Sequence, residues 1–208
     1  MRPRSLRVSK PSAEFSRLLD PVLHALQIDL NDRQRKLLEH HFGLLLRWNQ
    51  KINLTSLRDP EEIVTRHFGE SLFLASALPS GCGSLIDVGS GAGFPGIPIA
   101  VYHPDWQVTL AESVGKRAVF LKEATRYLAN VSVWHGRFED MKGCFEWAAV
   151  RALRLMELER ALKQRAAKIA VLVSNRQIQE LSTIRDITWS APLLMPWDPG
   201  RALVLGSF

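Results

Sequence analysis

The 208-residue chain has no uninterrupted apolar run of about 18 residues, the length a spanning helix needs, so no membrane span is expected. Only two cysteines are present, Cys82 and Cys144, far apart and without a second ligand at metal-binding spacing. Neither a disulfide scaffold nor a zinc site is expected, no other metal site is evident, and a reducing, cytoplasmic setting fits. The basic start, MRPRSLRVSK, has no apolar segment behind it and does not read as a secretory signal. A basic arm touching nucleic acid and a disordered tail both fit that stretch, the tail better. Internal repeats and low-complexity segments are missing too. What remains is an ordinary globular composition, 46% apolar and 23% charged, with 27 Lys and Arg against 21 Asp and Glu. The net charge of +6 suits a polyanionic partner, although many basic proteins bind none.

The length predicts one domain, or one with a helical appendage: a basic tail and helical cap over residues 1–80 and a core over 81–208, packed as one compact unit, as a monomer. Residues 12–50 read as helical, with Leu18, Leu19, Val22, Leu23 and Leu26 at steps of three and four, and Leu37, Leu38, Phe42, Leu45 and Leu46 likewise. Asn31 is a candidate N-cap for the second helix. A further helix starts where Asp59 precedes Pro60, Glu61 and Glu62. From residue 84 short β-rich runs alternate with helical patterns: Ser84–Val88, Gln107–Glu112, Val131–His135, Trp147–Val150 and Lys168–Ser174. That alternation predicts right-handed βαβ units and a mostly parallel α/β sheet. The segment from Thr183 onward reads as two strands joined by a Pro/Gly turn, an antiparallel hairpin at one edge.

The stretch LIDVGSGAGFPGIPIA, Leu85–Ala100, puts four glycines between the first strand and the next helix. Two templates fit. Gly91, Gly93 and Gly96 match the dinucleotide-binding G-x-G-x-x-G, and Gly89, Gly91 and Gly93 match the G-x-G-x-G turn of S-adenosylmethionine-dependent methyltransferases. Both use absent Cβ atoms to reach φ > 0 and let a ligand lie against the chain. Asp87 in the strand would repel a pyrophosphate but attract an aminoacyl ammonium group; anchoring the turn through backbone N–H groups is its other reading. Pro95 offers no N–H to a phosphate. Glu112, closing the second strand, can bind the ribose hydroxyls of either cofactor. Together these residues favour S-adenosyl-L-methionine over NAD. Gly96 reads as helix-to-sheet packing. Phe138, in GRFED after the third strand, can pack on an adenine or tuck into the core. Arg151, ending the fourth strand, can serve a cofactor carboxylate or an RNA phosphate.

The chain resembles the bacterial ribosomal RNA small subunit methyltransferase G family, also called glucose-inhibited division protein B. The resemblance rests on RWNQKINLTSLRDPEEIVTRHFGESL, LIDVGSGAGFPGIPIA and LAESVGKRAVFL, with GRFE and VRAL following in order. It implies a class I S-adenosylmethionine-dependent methyltransferase core, Rossmann-like, behind an N-terminal helical cap. It implies methyl transfer to N7 of one guanine in 16S rRNA, in the small subunit or an assembly intermediate. Its cofactor residues fall on Gly89, Phe94, Phe138, Glu139 and Arg151, joined from the turn and second strand by Gly91 and Glu112. One departure stands out: relatives commonly carry Lys-Gly after the fifth strand, where this chain has Ser174-Asn175, with Arg176 as a nearby cation.

The guanine N7 lone pair is exposed and unprotonated near neutral pH, so in-line attack on a sulfonium methyl needs positioning rather than a base. No Asn/Asp-Pro-Pro-Tyr motif is present, and neither cysteine sits where a covalent nucleophile would be needed, Cys82 preceding the first strand and Cys144 the fourth. No catalytic general base and no covalent intermediate are therefore expected. Arg47, Lys51, Arg58, Arg66 and His67, around the passage from cap to core, form a candidate RNA-facing surface, although Arg66 and His67 also suit pins that close the cap; Lys116 and Arg117 face RNA or solvent. The competing readings are an NAD-dependent oxidoreductase and an RNA-binding module that keeps the cofactor without catalysis.

Overall fold

A computed structural model describes residues 12–151 and 155–208. The arm or tail at residues 1–11 and the last two residues of VRAL, with the arginine that follows them, lie outside the described residues. The chain begins with α1 (Ala13–Leu26), whose N-cap Ser12 accepts from the Phe15 amide and whose C-cap Gln27 turns left-handed at φ 54°. Helix α2 (Asp32–Asn49) starts at Asn31 with a full capping box: Asn31 Oδ1 accepts from the Gln34 amide at 2.9 Å, and Gln34 Oε1 accepts from the Asn31 amide at 3.0 Å. Asp59 caps α3 (Pro60–Ile63), as the Asp-Pro-Glu-Glu pattern predicts. This helix runs through a π-helical stretch, Val64–Gly69, into α4 (Glu70–Ala77). The widened turn has no signature in local propensity; such segments often mark functional positions.

The core follows as β1 (Gly83–Val88), α5 (Gly96–Tyr102), β2 (Trp106–Glu112), α6 (Gly115–Ala124), β3 (Val131–His135), a 3-10 turn at Phe138–Asp140, β4 (Phe145–Arg151), α7 (Leu155–Arg165), β5 (Ala166–Ser174) and α8 (Asn175–Leu181). Every strand expected from residue 84 to 174 is present, extended by at most two residues at either end, because each is an apolar β-branched run bounded by turn residues. The five strands pair in parallel in the order β3-β2-β1-β4-β5. The edge corrects the expected two-strand hairpin. Three strands are present: β6 (Thr188–Trp189), β7 (Leu193–Met195) and β8 (Asp198–Ser207), with β8 antiparallel to β5 and pairing with both of the others. Strands of two and three residues are too short to show a period, so the sequence pattern merges them.

One apolar cluster runs from the helical segment into the sheet, joining Leu19, Leu38 and Phe68 with Ile97, Leu110 and Leu172. A second, with Ile86, Phe138, Leu162 and Val171, fills the opposite face. Gly96 belongs to the packing between α5 and the sheet: a Cβ there would stand 2.3 Å from Leu110 Cδ2 and 2.7 Å from Asp87 Oδ2. Gly96→Ala is expected to destabilise the chain by about 1–3 kcal/mol through overpacking. At Gly91, where a Cβ would lie an ordinary 3.8 Å from Gly89 O and only φ +55° is costly, alanine should cost about 1–2 kcal/mol. Denaturant unfolding of both variants checks the mechanism: methyl-sized crowding seen in m-value-independent midpoint shifts at Gly96, and no loss at that position would contradict it.

Candidate functional site

The glycine turn leaves β1 at its C-terminal end, where open parallel sheets bind ligands. Gly89, Gly91 and Gly93 adopt φ of 71°, 55° and 87°, all left-handed. The amides of Gly89 and Ser90 both donate to the Ala111 carbonyl, at 2.9 and 3.0 Å, pinning the turn to the end of β2. Glu112, 4% exposed, completes the brace: Oε2 accepts from the Gly91 amide at 2.9 Å and Oε1 from the Val114 amide at 2.7 Å. Asp87 is buried on the other side, with Oδ2 accepting from the Gly96 amide at 3.0 Å and no hydrogen-bond partner for Oδ1 among the described residues. Burial pushes its pKa up to about 7, outweighing the Gly96 amide and the charge of Arg151. Of the two roles open to Asp87, turn anchoring is the one this geometry provides.

Two depressions meet at the turn, and Gly89 lines both. The first, about 560 Å³, is bordered by Ala111, Ser113, Gly136, Phe138 and Glu139. Phe138 is tucked into the second apolar cluster, with the Arg165 guanidinium 5.7 Å from its ring centroid, while Glu139 is exposed at the rim. The second, about 340 Å³, opens between the Thr55–Leu57 loop and the turn and is bordered by His67, Phe94, Arg151 and Arg201. Phe94 is buried against His67 and His41, each with its ring centroid 4.7 Å away. A further cavity, between β5, α7 and α8, is lined by apolar residues, Gln177 and two glutamates, with no cation.

Arg151 is not free in the cleft. Its Nη2 donates to the Arg66 carbonyl at 3.1 Å and stands 3.2 Å from Glu70 Oε2. Glu70, fully buried on α4, also holds Arg201 of β8, whose Nε and Nη2 lie 2.6 and 3.0 Å from its two oxygens. One carboxylate thus faces two guanidiniums, and burial together with the neighbouring Arg201 and Arg66 charges lowers the pKa of Arg151 although Glu70 acts the other way. Arg201 stands opposite Ser174 in the β5–β8 ladder, while Ser174 itself caps α8 and Arg176 borders neither depression.

The basic residues separate into patches. Arg47 and Lys51 share a groove beside Trp48 with Lys116, and Arg58 lies near Asn53 with Arg117. Arg66 reaches the cleft and pairs with Glu62 at 3.1 Å. His67 is a correction to the cationic reading. Its Nε2 is 2.7 Å from Thr55 Oγ1, and burial, aided by Arg151, lowers its pKa to about 3, so it stands neutral as a pin between cap loop and turn. His41, equally neutral at about 4 through burial, donates its Nε2–H to the Ala92 carbonyl at 2.7 Å. Sequence reasoning missed His41, Glu70, Thr55 and Arg201. The only local signals were a histidine on the apolar face of α2 and a lone arginine in the β8 run. The two cysteines are exposed and unpaired, and no cluster of three metal-binding side chains exists among the described residues. No helix among them is long and apolar enough to cross a membrane.

The family model for rRNA small subunit methyltransferase G matches residues 34–185. A protein named ribosomal RNA small subunit methyltransferase G from Pseudomonas fluorescens (strain Pf0-1) is 41% identical over 153 residues, covering 72% of this chain and 71% of that protein. One of the same name from Desulforamulus reducens is 41% identical over 118 residues, covering 55% of this chain and 49% of its own length. The chain therefore spans about half of one such relative and about seven tenths of the other. Among solved structures, a SAM-dependent methyltransferase from Aquifex aeolicus superposes with a TM-score of 0.57 at 14% identity, covering 74% of this chain and 95% of that one. That likeness establishes the class I methyltransferase fold.

The buried rings set a pH dependence. The native state keeps His41 and His67 neutral while the unfolded chain protonates both near pH 6.5, so their contribution is full above that pH and is lost as pH falls toward about 4 and 3. Asp87, raised to about 7, acts oppositely in the same window. With His41 and His67 set against Asp87, and His40, also lowered by burial, adding to them, unfolding free energy should rise with pH by at least about 1.4 kcal/mol per unit between roughly pH 4.5 and 6. His67→Gln should flatten that slope; denaturant titrations at several pH values check it, and an unchanged slope would place a cation at His67.

Proposed function

The chain belongs to the rRNA small subunit methyltransferase G family, and on that premise we propose that it transfers the methyl group of S-adenosyl-L-methionine to N7 of one guanine in 16S rRNA. The observation that carries the reading is the left-handed glycine turn, braced by Glu112, whose Gly89 borders both the Phe138–Glu139 depression and the arginine-lined cleft. The residues fit the cofactor. Gly89 and Gly91 present bare backbone, and a Cβ built at Gly91 meets nothing nearer than 3.8 Å. Each Glu112 oxygen accepts one backbone N–H and has acceptor capacity left for ribose hydroxyls. Phe138 and Glu139 border the place for the adenine, Phe94 backs the turn, and Arg151 supplies a cation for the aminoacyl carboxylate.

When bound, the cofactor supplies a methyl group on a sulfonium. The chain's own contribution is placement: the turn and Glu112 orient the donor side, and the cleft between the Thr55 loop and the sheet admits the base. N7 carries no proton to remove, so the neutral His41 and His67 are supports rather than bases. Arg47, Lys51, Arg58 and Arg66 would track phosphates of the folded RNA, giving salt-sensitive binding to the small subunit or its assembly intermediate. The setting proposed is cytoplasmic and the working unit a monomer.

Incubation with unmethylated small-subunit particles and methyl-labelled donor is expected to put label into 16S rRNA, released as N7-methylguanine from a single site. Cofactor binding without label in RNA would instead favour a non-catalytic RNA-binding module. Glu112→Ala should weaken S-adenosylmethionine binding by about 1–3 kcal/mol, as a buried acceptor is lost, and S-adenosylmethionine but not NAD should raise the melting temperature. Unchanged affinity in the folded variant would remove Glu112 from the site.

A further inference from the structure

We propose that Arg201 is a substrate-positioning residue that grips the RNA phosphodiester beside the target guanine, held in place by the buried carboxylate of Glu70. The proposal rests on the methyltransferase reading and adds to it a phosphate subsite on the wall of the cleft. Arg201 is delivered by β8, two strands away from Arg151 across the β4-β5-β8 portion of the sheet, yet both guanidiniums converge on Glu70. Glu70 accepts a hydrogen bond from Nη2 of Arg201 and stands in ion-pair contact with its Nε, and no partner for Nη1 is found among the described residues. A planar fork fixed on one edge and open on the other is the geometry with which arginine binds phosphate.

Charge counting points the same way. Arg201 has Glu70 as its one ionic partner among the described residues and shares it with Arg151, which also feels Asp87, while Glu62 is matched to Arg66, so Arg201 is only partly neutralised at the cleft wall. The side chains of Arg151 and Arg201 are 14% and 20% exposed, and a poorly hydrated, partly neutralised guanidinium favours an anion. The two arginines border the cleft from different strands, β4 and β8. Arg151 follows Val150, which pairs with Val88 where the glycine turn begins, and so lies on the cofactor side. Arg201 sits beyond it toward the end of β5, opposite Ser174. The Thr55 and Ser56 hydroxyls border the same cleft and add the neutral donors that commonly accompany arginine on a phosphate. Glu70 thus makes one buried carboxylate orient two cations for two different anions.

The test compares wild type, Arg201→Gln and Arg201→Lys in methyl transfer to unmethylated small-subunit particles at several salt concentrations, with S-adenosylhomocysteine affinity measured alongside. In Arg201→Gln, KM for the particles is expected to rise roughly ten- to a hundredfold with cofactor affinity within twofold, and the salt dependence of RNA binding to become shallower by about one phosphate contact. Arg201→Lys, keeping the charge without the fork, should raise KM less and keep the wild-type salt slope. Should Arg201→Gln fail to fold, Arg201→Lys decides alone: raised KM at intact cofactor affinity supports the proposal, and unchanged KM overturns it. Wild-type salt slopes in both folded variants would make Arg201 a structural tie only, and a loss confined to cofactor affinity would assign it to the donor site; either overturns the proposal. Wild type that binds S-adenosylhomocysteine and transfers nothing refutes the functional reading itself, whereas active wild type with an indifferent Arg201 refutes only the subsite.

Discussion

Two buried carboxylates, Asp87 and Glu112, hold the backbone between them, and the remainder of the site is arranged around that clamp. A carboxylate taken out of water is stabilised only where donors replace its hydration. Glu112 finds two backbone amides, one in the turn and one beyond its own strand. Asp87 finds one, and the shortfall appears as a pKa raised to about 7. Between these anchors the chain reaches left-handed φ at three glycines, with its amides already committed to Ala111, Glu112 and Ser90. The turn is thereby preorganised, so a ligand meets a surface that needs little further ordering.

The helical segment is part of this device. His41 of α2 reaches the Ala92 carbonyl within the turn, and Phe94 is sandwiched among His41, His67 and Phe68. Both histidines sit far from their solution pKa because they are buried, and their neutrality lets them work as hydrogen-bonding spacers in an aromatic cluster. Glu70 extends the same logic to the sheet, tying α4 to the ends of β4 and β8 through two arginines. Cap, turn and sheet edge are thus joined by polar contacts that also leave cationic donors facing the cleft.

Much of this was legible from residues alone. The parallel strands are short apolar runs with turn residues at each end, the helix starts at Asn31 and Asp59 carry complete capping patterns, and the glycine spacing announces a turn with φ > 0. What escaped depends on contacts between distant residues. Glu70 and Arg201 are 131 positions apart, and nothing near either announces the pair. His67 resembles a surface cation beside Arg66 until Thr55 and Phe94 are seen to enclose it. The π-helical stretch before Glu70 and the short strands Thr188–Trp189 and Leu193–Met195 lack any period to detect. The departure at Ser174 was visible as a missing cation, but that Arg201 stands opposite it on the neighbouring strand follows from register rather than sequence proximity.

A crystal structure with S-adenosylhomocysteine bound tests the central claim most directly. The account requires the nucleoside to lie along Gly89–Gly91, its ribose hydroxyls on Glu112 and its aminoacyl carboxylate toward Arg151. A ligand lodged elsewhere, or a nicotinamide dinucleotide whose pyrophosphate occupies the turn beside Asp87, would contradict it.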